Sequence, residues 1–195
     1  MINQFEELYA IDSTRIWAAG KSDGGGFCNI LACNSTLSTQ IAAFAPVSGA
    51  FYVPGPTGAT CDPSSVAISC CPGRSQIPII EFHGFFDTTI DYDGSTTRDN
   101  SCLPTIPHWT QGWALRDGLS AINVTSNLTS DTLMYTFGAG EETGLVTQYT
   151  DFNASFHHDW PSTVLDVVLK GGDKDVASFN ATRIIIDFFL KNPLS

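Results

Sequence analysis

Short apolar runs alternate with longer segments whose apolar residues recur at helical spacing. The continuous runs at 41–47 and 78–84 are typical of strands buried on both faces, whereas the alternation at 132–137 and 145–149 is typical of half-buried strands. A fifth strand is predicted at 15–19. The predicted helices are residues 3–9, 23–33, 106–117 and 180–191, the last with Asn180 near its N-cap.

Between these elements lie polar, Gly- and Pro-rich loops, predicted at 52–76, 91–104 and 150–162. Strands that alternate with helices indicate an α/β fold with a mostly parallel sheet and helices on both faces. The length of 195 residues fits one domain, residues 1–195.

Composition narrows the class of protein. Apolar residues make up 43% of the chain and charged residues 15%, so a folded core is expected rather than disorder. The net charge of −11 argues against nucleic acid and anionic membrane surfaces as partners. No apolar run is long enough for a transmembrane helix, and we expect a monomer.

Five N-x-S/T acceptors and six cysteines favour a secreted glycoprotein with disulfide bonds. Cys28 and Cys33 lie five apart on one predicted helix and are not expected to bond each other. A cytosolic chain with free thiols is the alternative. The polar, acidic start of the chain is not a signal peptide, so we expect a missing N-terminus. The acceptors are Asn34, Asn123, Asn127, Asn153 and Asn180.

The pentapeptide Gly20 to Gly24 has the pattern G-x-S-x-G, with Ser22 at its centre. It stands between a predicted strand and a predicted helix, the context of a nucleophile elbow. We expect glycine on both sides because a Cβ there would clash with the neighbouring strand and helix. The backbone N–H of Asp23 would then donate to an oxyanion. The alternative is a Gly-rich turn with an ordinary surface serine.

A serine nucleophile needs a base and an orienting acid, which follow it in the order Ser, acid, His on an α/β-hydrolase sheet. Asp87 comes just after the turn that ends the strand at 78–84, and it is the preferred acid. Asp91 and Asp93 are alternatives placed deeper in a polar loop.

Four histidines are candidates for the base. His83 lies in a strand end, where a structural role is expected, and His108 begins a helix. His157 and His158 both follow the strand at 145–149, and residue physics alone does not separate them. Adjacent histidines do not converge easily on one metal, so we expect no zinc site and no cofactor.

Four segments together resemble the secreted feruloyl esterases, which are related to the poly(3-hydroxybutyrate) depolymerases. They are residues 16–26, residues 45–52, residues 81–90 with Tyr92, and His158-Asp159-Trp160-Pro161. The resemblance implies an α/β-hydrolase fold and places His158 in the base position. It also implies a serine esterase that releases ferulic acid from plant cell-wall polysaccharide, with Ser22, Asp87 and His158 as the triad.

Two departures from the family pattern bear on activity. The family has Gly before the catalytic histidine where this chain has His157, whose imidazole could alter the loop or contact substrate. The family's first strands and second oxyanion amide are expected upstream of Met1. We therefore expect an N-terminally incomplete domain that folds poorly or is weakly active. Trp160 either shapes the substrate pocket or packs in the core.

Three other functions stay open. The ester could be acetylated xylan or a polyhydroxyalkanoate. The chain could instead be a non-catalytic binding protein on a hydrolase scaffold, or a truncated product without a stable function.

Overall fold

The computed structural model of the protein describes residues 2–164 and 175–194. A six-stranded sheet in the order β1-β2-β4-β8-β7-β6 forms its centre, and β3 and β5 make a separate two-stranded ribbon. The strands are β1 (Trp17–Lys21), β2 (Ala43–Val47), β3 (Val53–Pro54), β4 (Ile79–Gly84), β5 (Ser101–Cys102), β6 (Val124–Asn127), β7 (Thr132–Phe137) and β8 (Val146–Asp151).

Strands β1, β2, β4 and β8 are parallel, and β7 and β6 continue the sheet as antiparallel neighbours. Lys21 pairs with Val47, Val47 with Phe82, and Gly84 with Asp151. This register brings the carboxyl ends of the four parallel strands together. We call that edge the carboxyl rim; the residues that follow β1, β4 and β8 meet there.

In the part of the chain that the structure describes, four α-helices accompany the sheet: α1 (Ile2–Leu8), α2 (Asp23–Cys33), α3 (Ile106–Arg116) and α4 (Ala181–Lys191). One apolar cluster joins α2 and α3 to strand residues such as Phe44, and a second joins α4 to Ala45 and Ile80. Because successive strand side chains point to opposite faces, this division places α2 and α3 on one face and α4 on the other. The expected mixed α/β class, with a mostly parallel sheet and helices on both faces, is confirmed.

Local sequence signals explain where α3 begins and α4 packs. The Thr105 hydroxyl accepts a hydrogen bond from the His108 N–H, and Pro107 occupies the first turn of α3. In α4, Ile185 is buried, and Phe189 stacks on Trp17 of β1 with ring centroids 5.5 Å apart. Asn180 is the N-cap residue of α4, as predicted, although its side chain makes no capping hydrogen bond.

Two disulfide bonds, Cys33–Cys70 and Cys61–Cys102, are present, and Cys28 and Cys71 are free. The prediction that Cys28 and Cys33 do not bond each other is confirmed. The Cys61–Cys102 bond joins the two long loops, and β3 and β5 pair beside it. These loops were expected to lack strands, so the ribbon corrects that expectation.

Candidate active site

Ser22 stands between β1 and α2 in a backbone conformation that L-residues rarely adopt, with φ 58° and ψ −121°. Its N–H donates to the Val47 carbonyl at 2.9 Å, and its own carbonyl accepts from the N–H groups of Gly26 and Ala50 at 2.9 and 3.0 Å. These three bonds, to β2, to α2 and to the segment after β2, hold the strained residue in place. Its hydroxyl does not cap the helix, although serine commonly does so at this position.

Of the two glycines of the pentapeptide, only Gly20 is required by close contacts. A Cβ at Gly20 would lie 2.4 Å from the Gly24 carbonyl oxygen, whereas a Cβ at Gly24 would meet nothing within 4 Å. The expectation that both flanking glycines avoid a clash was therefore wrong for Gly24. After Ser22, the close backbone contact is at Gly26 instead, where a Cβ would lie 2.1 Å from the Ala50 carbonyl oxygen.

Asp87 is buried just after β4, with its two carboxylate oxygens in separate roles. Oδ1 accepts from the backbone N–H groups of Thr89 and Ile90 at 2.8 and 2.9 Å. Oδ2 lies 2.7 Å from Nδ1 of His158. The backbone bonds keep Oδ2 directed at the ring. The alternatives Asp91 and Asp93 are both exposed.

Of the two histidine candidates after β8, His158 is the one that contacts Asp87. Its side chain is buried in the loop after β8. An ionised carboxylate only accepts hydrogen bonds, so the contact with Asp87 places the ring hydrogen on Nδ1. Nε2 is then left with a lone pair, as a general base requires.

Ser22 and His158 are linked through their neighbours. Lys21 Nζ lies 3.2 Å from Asp159 Oδ1, so the residue before the serine contacts the residue after the histidine. Within the described part of the chain, no direct hydrogen bond joins the Ser22 hydroxyl to His158. Such bonds are often long before substrate binds.

A buried pair behind Asp87 was missed by the sequence analysis. His83 Nε2 lies 2.8 Å from the Ile90 carbonyl and 3.4 Å from Asp87 Oδ2, while its Nδ1 lies 2.9 Å from Glu81 Oε1. Since a carbonyl only accepts, Nε2 carries a hydrogen, and a second proton must lie between Nδ1 and Glu81. The signal in the sequence was Glu81, a charged residue inside the apolar run at 78–84.

The pKa values of this pair agree with a retained proton. Burial raises the pKa of Glu81, and the His83 ring only partly offsets that effect. Burial alone would lower the pKa of His83, but Glu81, Asp87 and the Ile90 carbonyl together outweigh burial and raise the pKa. The pair therefore contributes no net charge beside Asp87. The expected structural role of His83 fits these contacts.

The other candidate residues surround this centre. Asp23 is the first residue of α2, so its N–H has no acceptor within the helix. His157 is held by Asp175, whose Oδ2 lies 2.9 Å from its N–H and 3.1 Å from its Nδ1. Trp160 packs against the α4 cluster and donates to the Thr182 hydroxyl at 2.9 Å. His108 lies elsewhere and contacts the Val66 carbonyl.

The glycosylation acceptors differ in accessibility. Asn34, Asn127 and Asn180 are exposed, whereas Asn123 and Asn153 are half-buried. The Asn153 amide nitrogen, the atom a glycan would occupy, donates to the Val176 carbonyl at 3.2 Å. A glycan at Asn153 would leave Nδ2 a single hydrogen for that bond.

Among residues 2–164 and 175–194, no cluster of three His, Cys, Asp or Glu side chains is arranged to hold a metal ion. No helix in the same residues has the length and apolar character needed to cross a membrane. Comparison with known proteins adds no family: no protein-family model matches the chain, and no curated protein matches it.

Proposed function

We propose that the protein is a carboxylic ester hydrolase with an α/β-hydrolase fold, in which Ser22, His158 and Asp87 form the catalytic triad. One observation carries the proposal. The buried Asp87–His158 pair, 2.7 Å apart, lies on the same carboxyl rim as a serine held at φ 58°. The order serine, acid, histidine along the chain is that of α/β-hydrolases.

In the first step the Ser22 Oγ attacks the ester carbonyl carbon. Nε2 of His158 accepts the hydroxyl proton and then returns it to the oxygen of the departing alcohol. Asp87 keeps the ring hydrogen on Nδ1 and stabilises the imidazolium ion that forms. The Glu81–His83 pair adds no net charge beside Asp87.

Negative charge develops on the carbonyl oxygen in the tetrahedral intermediate. The Asp23 N–H, together with the N-terminus of α2, is positioned to stabilise it. In the second step His158 activates water, which attacks the acyl-enzyme and releases the acid. This step returns the proton to Ser22.

An aromatic acyl group is the preferred substrate. A hollow of about 380 Å³ begins at Asp23 and is lined mainly by Phe27, Ile30, Phe51 and Tyr52. Such apolar and aromatic walls suit a hydroxycinnamate ring better than an acetyl group. With the resemblance described above, this favours ferulic acid esters of plant polysaccharides. Two disulfide bonds fit a secreted enzyme acting there.

Replacing Ser22 by Ala tests the proposal. We expect kcat for methyl ferulate to fall by on the order of 10⁶-fold, because the nucleophile is lost. The melting temperature should change little, because the Ser22 hydroxyl makes no helix-capping bond. Hydrolysis by the variant at the wild-type rate would refute the triad.

Two further measurements separate the alternatives. A panel of methyl ferulate, acetylated xylan and a short polyhydroxyalkanoate distinguishes the ester classes. A fluorophosphonate probe distinguishes an enzyme from a binding protein, because only an activated serine is labelled rapidly. Labelling should disappear in the Ser22→Ala variant.

A further inference from the structure

Three consecutive residues in the loop after β8 are each held by a different part of the molecule. His157 is bound by Asp175, and His158 by Asp87. Asp159 is bound by Lys21, the last residue of β1. Asp175 lies in the chain after the loop, and Asp87 lies just after β4. Only the third contact reaches the strand that leads into Ser22.

The Lys21–Asp159 contact is an ion pair with a defined geometry. Nζ lies 3.2 Å from Oδ1, and the other carboxylate oxygen accepts the Asp175 N–H at 3.4 Å. The Asp159 side chain is 17% exposed and the Lys21 side chain 34%. Both oxygens of Asp159 are therefore engaged, and the carboxylate is directed at β1.

Lys21 occupies the first variable position of G-x-S-x-G, where no particular residue is needed for the turn itself. We propose that the Lys21–Asp159 ion pair, which we call the clip, positions His158 over Ser22. It joins the end of β1 to the loop after β8. This inference rests on the proposed function, since it concerns the same site. Lys21 and Asp159 are positioning residues that touch neither the reacting atoms nor the proton.

The physical argument is proximity. Ser22 follows β1 and His158 follows β8, and β2 and β4 separate these strands in the sheet. Because no direct hydrogen bond joins the side chains of Ser22 and His158, their separation depends on how the loop after β8 is held. A displacement of about 1 Å can cost on the order of a hundredfold in rate. A misplaced base slows the reaction step and not the binding of the ester, so kcat should fall while KM stays constant.

The chain offers a matched control. Arg15 Nε lies 3.3 Å from Asp12 Oδ2 in an ion pair of nearly the same length just before β1, with side chains 59% and 53% exposed. Exposed pairs of this kind contribute little to stability. Arg15→Ala removes one ion pair away from the rim and should leave kcat unchanged.

Charge exchange tests the clip. Lys21→Glu and Asp159→Lys each place like charges together, and we expect each to lower kcat for methyl ferulate by on the order of tenfold with constant KM. The double variant restores opposite charges and should recover most of kcat. Circular dichroism melts would show that all variants are folded. Hydrogen exchange of the amides at 157–160 should quicken in each single variant and slow again in the double variant.

Each outcome decides the proposal. Single variants that match Arg15→Ala in kcat would overturn it, as would impaired single variants that the double variant does not restore. If the wild-type protein hydrolyses no ester, the proposed function fails and hydrogen exchange alone decides the clip. Exchange at 157–160 that follows the charge pairing would then support it, and exchange that ignores the pairing would overturn it.

Discussion

Two residues with strained backbone stand where the first two parallel strands end. Ser22 follows β1 with φ 58°, and Ser48 follows β2 with φ 44°. Each N–H is tied to the next strand, that of Ser22 to Val47 and that of Ser48 to Phe82. Such conformations persist only where surrounding bonds determine them, and they are common at functional sites. These two strained residues lie on the rim that carries the proposed triad, whereas Gln76, Asp99 and Asn100 have positive φ in the segments before β4 and β5.

The role of Asp87 leads to a prediction at the scale of one atom. In Asp87→Asn, the side-chain oxygen can still accept from the N–H groups of Thr89 and Ile90, so the loop should stay in place. The amide nitrogen then faces His158 Nδ1 and donates to it, which forces the ring hydrogen to Nε2. We expect kcat to fall by on the order of 10⁴-fold with little change in melting temperature.

The control for this variant is Asp91→Asn, which alters an exposed carboxylate in the same loop. It should hydrolyse methyl ferulate at the wild-type rate. If Asp87→Asn loses less than about tenfold in kcat, Asp87 does not set the tautomer of His158, and the triad assignment fails.

At the scale of elements, the junction of β1 and α2 depends on one glycine of the pentapeptide. A Cβ at Gly20 would meet the Gly24 carbonyl oxygen at 2.4 Å, and backbone must move to relieve that contact. We expect Gly20→Ala to destabilise the fold by about 2 kcal/mol and to lower kcat, because the shift reaches Ser22. Urea unfolding and ester hydrolysis measure the two effects.

Gly24→Ala is the matched variant four residues on. Its Cβ would enter open space, and the residue lies in the first turn of α2. Alanine is the better helix former, so we expect a stabilisation of up to about 1 kcal/mol. Equal destabilisation by both substitutions would show that the strand–helix junction, and not the individual contact, sets the requirement for glycine.

The elements that could be predicted are those with a strong local signal. Helix α2 and strand β7 have the predicted bounds, 23–33 and 132–137, because glycines or a clear alternation define them. Strand β6 was missed since its residues Val-Thr-Ser-Asn are all exposed and show no apolar face. The ribbon of β3 and β5 has two residues per strand, too few for any periodicity.

At the scale of the whole molecule, part of the candidate site could be predicted from which polar residues follow the parallel strands, because these strands end together at the carboxyl rim. Asp87 was preferred because it follows a buried strand, and it does contact His158. The Lys21–Asp159 pair could not be foreseen. It joins residues 138 apart, and neither residue stands out from other surface charges in the sequence. Such contacts depend on how two loops fold over the sheet.

The pH dependence of stability should contain a contribution from one buried carboxyl group far from the proposed triad in the sequence. Asp117 ends α3, and its Oδ1 accepts the Ile77 N–H at 3.0 Å just before β4. Burial raises the pKa of Asp117 to about 6, from 3.8 for a free side chain. The folded protein therefore holds this proton more tightly than the unfolded chain.

The sign of the effect follows from that difference. The contribution of Asp117 to stability is fully present below about pH 4 and is lost as the pH rises through about 6. Two pKa units correspond to about 3 kcal/mol. Asp117→Asn keeps the acceptor for Ile77 and removes the titration. We expect the free energy of unfolding of the variant to decrease less than that of the wild type between pH 4 and pH 7, by on the order of 2–3 kcal/mol.

Urea unfolding of the disulfide-bonded protein at pH 4 and pH 7 measures the change in the free energy of unfolding for the variant and for the wild type. The titration of all other groups cancels when the two changes are subtracted. Asp12→Asn supplies the opposite case. Asp12 is exposed, and the hydrogen bond from the Thr14 hydroxyl lowers its pKa, so its contribution is present at higher pH and lost on acidification. That titration lies mainly below pH 4, so Asp12→Asn should follow the wild type between pH 4 and pH 7 and depart from it at lower pH. An Asp117→Asn variant with the same pH dependence as the wild type would mean that Asp117 titrates alike in the folded and unfolded chains, despite its burial between α3 and β4.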